Sequence, residues 1–118
     1  MLDTVTSTLV SSKDVTGTKV YSTSTGEHVG EIDHLVIDKE SGRVAYAVMN
    51  FGGFLGIGEE THPLPWGTLS YSKDHNGFVT NVTKEQLEGA PARSDDWHRD
   101  RVWEQRFHDH YLLPYYWI

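Results

Sequence analysis

The chain has 118 residues, with 10 Lys and Arg against 17 Asp and Glu, a net charge of −7 and no cysteine. That length fits one domain that buries roughly two-thirds of its unfolded surface. An acidic surface repels phosphate backbones, which argues against nucleic acid, and without cysteine there are neither disulfides nor thiolate metal sites.

Residues 1–10, MLDTVTSTLV, are polar and β-branched and read as a flexible N-terminal arm. They have no basic n-region, so no signal peptide is expected. No stretch approaches the ~20 apolar residues of a membrane helix, and the expected setting is cytoplasmic with no membrane insertion. Ser11-Ser12-Lys13-Asp14 reads as a capped helical turn that Gly17 can end. Thr18–Tyr21 is a short strand, followed by turn residues Ser24-Thr25-Gly26.

Glu27–Asp38 reads as one long strand with a change of phase. Val29, Leu35 and Ile37 share one parity, and Ile32 and Val36 the other. A strict period of two cannot turn all five inward, so a bulge is expected near Asp33–Leu35. Lys39-Glu40-Ser41-Gly42 closes a hairpin. Arg43–Phe51 is apolar on both sides, and a strand of that kind is covered on both sides. One cover is the barrel core; the other is the C-terminal helix or a second subunit.

Gly52–Gly58 is a glycine-rich apolar loop. Glu60–Trp66 carries Pro63 and Pro65, which cannot donate ladder hydrogen bonds and so mark an edge strand. Thr68–Tyr71 is a short turn or strand. Asp74-His75-Asn76-Gly77 is a hairpin turn before the closing strand Phe78–Val82. Thr83-Lys84-Glu85-Gln86 fits a capping box before a one-turn helix. Ser94 then caps a final helix of roughly 15 residues, in which Trp97, Trp103, Phe107 and Tyr111 fall within about 120° of arc. Asp100 and Glu104 lie inside that arc, so the face is mixed. Pro114 stops the helix, and Tyr115-Tyr116-Trp117-Ile118 is an aromatic tail. The divisions are therefore an arm over 1–10, a barrel over 11–90 and a helix with its tail over 91–118.

The ordered set Gly17–Val20, Gly26-Glu27-His28-Val29-Gly30-Glu31-Ile32, Leu35-Val36-Ile37-Asp38, Gly42-Arg43-Val44-Ala45-Tyr46-Ala47-Val48 and Pro63-Leu64-Pro65-Trp66 resembles the PRC-barrel family. The resemblance implies a mainly β protein, a small PRC-type β-barrel with short helical turns and a C-terminal α-helix. The family includes the cytoplasmic part of the photosynthetic reaction centre H subunit and the ribosome maturation factor that binds a small-subunit protein. It also includes short bacterial proteins, which this chain is most similar to. The H subunit has a membrane helix before its barrel, and none is expected here. Ser11-Ser12 stand where the ribosome factor has paired aromatics. What the resemblance implies is the fold and a habit of holding proteins together.

A phosphate loop would follow its glycines with Lys and Ser or Thr, but Glu59 and Glu60 follow Gly58. The loop residues Phe54, Leu55 and Ile57 instead suit partner contact. Zinc needs three or four converging ligands. Of the seven histidines, His108 and His110 face apart on a helix, and His28 and His34 share a strand face only without a bulge. Asp38 is more simply a turn acid, and Glu31 and Asp33 a solvent-facing row. Ser70 and Ser72 have no His–acid set visible in sequence. No catalytic, cofactor or metal residue is expected, and no enzyme.

Trp103, Phe107, Tyr111 and Trp117 either cover the barrel or pack on a neighbouring subunit, since interface centres are rich in aromatics. The expected role is a protein-binding module that forms a homodimer. The alternatives are a small-ligand or metal-responsive domain and, by family analogy, an accessory factor for a photosynthetic reaction centre or for ribosome assembly.

Overall fold

The computed structural model describes residues 9–52 and 61–118. Among them, six strands form one sheet: β1 Lys19–Ser22, β2 His28–Ile37, β3 Val44–Asn50, β4 Thr61–Pro65, β5 Leu69–Ser72 and β6 Gly77–Thr80. Their order is β4-β3-β2-β1-β6-β5, antiparallel except where β1 and β6 run parallel. The two edges, β4 and β5, are joined only by the 3-10 turn Trp66–Thr68. Five interstrand steps of about 4.8 Å would separate the edges of a flat sheet by about 24 Å, beyond the reach of three residues. The sheet therefore curls until its edges approach, and it forms a half-barrel.

The expected bulge is present. Ile32 pairs with Met49 and His34 with Val48, so Asp33 is the extra residue on β2. Thr16 Oγ1 donates to the Asp33 carbonyl at 3.0 Å. The bulge lets Ile32 and Leu35 share the concave face with Met49 and Ala47. A second register shift between Val36 and Ile37 ends the pattern. Ile37 is consequently 53% exposed rather than turned inward as its parity suggested. Gly30 sits where an added Cβ would lie 2.6 Å from the Asn50 carbonyl oxygen, so only glycine allows β2 and β3 to approach there.

Three α-helices among the described residues decorate the sheet. Helix α1, Ser12–Val15, is capped by Ser11, and α2, Lys84–Glu88, by the expected box of Thr83 and Gln86. The last helix, α3, runs Arg101–Tyr111. It starts later than its sequence suggested, because Asp100 adopts an extended backbone and its carboxylate accepts from Trp103 N at 3.1 Å. Such a local side-chain bond competes with helix propagation. The residues before it form only the 3-10 turn Trp97–Arg99. No helix among the described residues is long and apolar enough to cross a membrane.

Strand β3 is buried from Ala45 to Met49. Directly paired residues point to the same side of a sheet. Tyr46, Val48, Pro63 and Pro65 thus share the convex face, and Ala45, Ala47, Met49 and Leu64 the concave one. The concave face meets Val20, Ile32 and Phe51 in the core. Over the convex face lies α3, which brings Phe107 and His108 to the Tyr46 ring at 5.8 and 5.5 Å. Both covers of β3 come from this chain.

Candidate functional site

The polar groups that sequence left unexplained converge on Tyr46. Its hydroxyl donates to Glu104 Oε1 at 2.8 Å and lies 2.9 Å from His108 Nε2. Tyr116 Oη also donates to Glu104 Oε1, at 2.5 Å, and His108 Nδ1 faces the Pro114 carbonyl at 3.0 Å. Arg101 Nε lies 3.4 Å from Glu104 Oε2 while its guanidinium covers the Trp117 ring at 3.8 Å. Tyr115 Oη donates to Asp109 Oδ1 at 2.8 Å. These contacts fold residues 112–118 back along α3. Tyr46, Glu104 and His108 are 1, 3 and 3% exposed, so the set is sealed.

Why this set forms is readable locally. Glu104 and His108 stand one turn apart on the buried face of α3, and Tyr46 is the convex-face residue of β3 below them. Leu112 takes a left-handed backbone with φ of 58°, which ends α3 and reverses the chain. Aromatic rings close the cavity: Trp97, Phe107, His108 and Tyr116 all meet Tyr46 edge-on. Buried polar groups are tolerated only when hydrogen-bonded, and here each is. Burial, with the Glu104 hydrogen bond, raises Tyr46 far above the ordinary phenol value. Tyr116 is raised for the same two reasons. Burial acting on the His108 ring lowers it, while the Pro114 carbonyl and the Glu104 carboxylate oppose that.

Trp103, Phe107 and Tyr111 lie in the core of the chain itself, at 4, 1 and 6% exposure. Trp103 stacks on Phe107 at 4.4 Å and its indole N–H donates to the Pro91 carbonyl. Of the two readings open to them, these three cover the sheet of their own chain and do not form an exposed patch on it. Trp117 is half-buried under Arg101. Phe54, Leu55 and Ile57 lie outside the described residues. Apolar side chains that do face solvent near the tail are Val102, Leu112 and Ile118.

Of the other candidates, Asp38 binds its own turn, accepting from Ser41 Oγ at 2.7 Å and Glu40 N at 3.3 Å. The Ser41 bond holds its carboxyl below the ordinary value. Glu31 and Asp33 are exposed. Ser72 and His75, which sequence did not pair, meet at 3.0 Å, but His75 N also donates to the same hydroxyl, as in a side-chain-closed turn. No group of three or more His, Asp or Glu able to hold a metal occurs among the described residues. Two clefts of about 420 and 290 Å³ open at the surface. The first is lined by Val29, Phe51, Thr80 and Lys84, the second by Pro63, Leu87, Trp103 and Tyr111. Neither is lined by Tyr46, Glu104 or His108.

The curled six-stranded sheet with short helical turns defines a small half-barrel domain. The PRC-barrel domain family matches residues 8–87, more than half of the chain, and the protein belongs to that family. No curated protein matches it. Tyr46 lies inside the matched span, whereas Glu104, His108 and Tyr116 lie beyond it. The polar cluster thus ties the family domain to the segment that follows it.

Proposed function

We propose that this PRC-barrel is a non-enzymatic binding module that docks on protein, a second copy of the chain being the simplest partner. The observation that carries the reading is the burial of Tyr46, Glu104 and His108, the one Glu–His–Tyr set in contact among the described residues. An acid–base site must reach the proton it moves, and these groups are spent on one another. The apolar side chains Val102, Leu112 and Ile118, by contrast, face solvent on α3 and the tail at 65, 88 and 94% exposure. Apolar surface of this kind suits macromolecular contact.

Sedimentation equilibrium across micromolar concentrations tests the reading. A mass near twice 13.4 kDa, returning to one copy in a Val102→Asp/Leu112→Asp variant, is the expected result. A single copy at every concentration, with no protein retained on the immobilised chain, would defeat it.

A further inference from the structure

Three short polar contacts run in series through the sealed cluster. Glu104 Oε1 meets Tyr46 Oη at 2.8 Å, Tyr46 Oη meets His108 Nε2 at 2.9 Å, and His108 Nδ1 meets the Pro114 oxygen at 3.0 Å. Each needs one hydrogen between its heavy atoms, because lone pairs that close otherwise repel. Tyr46 brings one hydrogen and a neutral imidazole brings one. Tyr116 uses its own on Glu104, and an ionised Glu104 brings none.

Neither tautomer closes the series. With hydrogen on Nδ1, Pro114 is satisfied, but Tyr46 can serve only Glu104 or only His108. With hydrogen on Nε2, Tyr46 accepts from His108 and donates to Glu104, and Nδ1 then faces the Pro114 carbonyl bare. One added proton completes all three bonds. It can do so as imidazolium with carboxylate, or as neutral imidazole with carboxylic acid, since both arrangements carry the same number of hydrogens.

We propose that the docked C-terminal segment holds one proton shared between Glu104 and His108 through the Tyr46 hydroxyl, so that docking of residues 112–118 on the barrel is coupled to proton uptake. The charged and titratable neighbours are few. Arg101 stands on Glu104 Oε2, Asp109 lies on the same helix, Asp38 lies across from Tyr116, and Tyr115 meets the His108 ring at 5.9 Å. Asp109 and Asp38 favour the added proton, and Arg101 opposes it from a half-exposed position.

The sign follows from the released state. Once solvated, Glu104 and His108 together hold no added proton above about pH 6.5. The docked state holds one, so docking weakens as pH rises above that value. Burial acting on the imidazole alone has the opposite consequence, because it would expel the proton and weaken docking as pH falls.

The test is urea unfolding of the full chain between pH 6.5 and 9, in the natural sequence and in Glu104→Gln. The amide nitrogen, standing for Oε1, donates to Tyr46 at every pH and supplies the third hydrogen permanently. Relative to Glu104→Gln, the folding constant of the natural chain is expected to fall by up to about tenfold per pH unit across the range in which the docked cluster keeps its proton. Carboxypeptidase trimming of the tail, taken as the ratio of the two chains at each pH, is expected to rise in parallel. Should Glu104→Gln fail to fold, Tyr46→Phe breaks the same series and serves as the reference. Parallel pH profiles, or a natural chain that gains on its reference as pH rises, would overturn the proposal.

Discussion

Tyr46 and Tyr111 make a matched pair of perturbations. Both are buried, at 1 and 6% exposure, and both project from elements that flank the same layer. Their hydroxyls differ completely. Tyr46 Oη touches Glu104 and His108, whereas Tyr111 Oη is buried with no hydrogen-bond partner among the described residues, and that burial raises its pKa well above the ordinary phenol value. Removing a hydroxyl that serves two buried groups forfeits about 1 kcal/mol of hydrogen bonding and strands partners that each cost about 1–3 kcal/mol. Glu104 retains Tyr116 and Arg101, so the loss falls mainly on His108 Nε2. Tyr46→Phe should therefore destabilise by about 2–4 kcal/mol. Tyr111→Phe removes only an unsatisfied group and should be neutral or stabilising by about 1–2 kcal/mol. Urea unfolding at pH 7 with a common m value measures both. In melting temperature the separation should exceed roughly 10 °C for a chain of this size. Equal losses for the two variants would refute the claim that the cluster, rather than aromatic burial alone, secures α3.

Three further outcomes are expected. Gly30→Ala places a methyl against the Asn50 carbonyl oxygen and the Phe51 backbone, so it should cost about 1–3 kcal/mol in chemical unfolding, while Gly42→Ala, with nothing near its Cβ but φ of 77°, should cost less, about 1 kcal/mol. Leu112→Gly relieves a left-handed non-glycine residue that is 88% exposed; it should stabilise by up to about 1 kcal/mol in thermal melts and, if the exposed apolar end docks protein, weaken self-association in sedimentation. Thr83→Ala removes the hydroxyl that accepts from Gln86 N and leaves the Thr83 N–H bond to Gln86 Oε1 in place, a loss of about 1 kcal/mol that differential scanning calorimetry can read.

Most of the sheet was legible because its signals are local. Alternation, the Pro63 and Pro65 edge, the turn at Asn76-Gly77 and the capping box at Thr83 each depend on neighbours within a few residues. The bulge at Asp33 was legible too, since only an extra residue reconciles Ile32 with Leu35. Ile37 was misplaced because a second shift, invisible in the β2 pattern, comes from the opposing strand. The start of α3 was misjudged because Ser94 and Asp100 are both competent caps, and packing of Trp97 and Trp103 selects the later one. Glu104 stands out in the sequence as a charge on an apolar arc, but its role does not. Its partners, Tyr46 and Tyr116, stand 58 and 12 residues away, and no sequence periodicity links them. His108 likewise has no local sign of its partner, although polar residues at i and i+4 on a buried face, as Glu104 and His108 are, are a signal that sequence does carry.

α3 covers the barrel of its own chain and leaves Val102 and Leu112 exposed. Isotope-filtered NOE spectroscopy on a mixture of labelled and unlabelled chains tests this directly. Cross-peaks between the Tyr46 ring and the Phe107 and His108 rings, which lie within 6 Å, are predicted only within one labelled chain. The same cross-peaks between labelled and unlabelled chains would show a helix exchanged with a neighbour and would contradict the account.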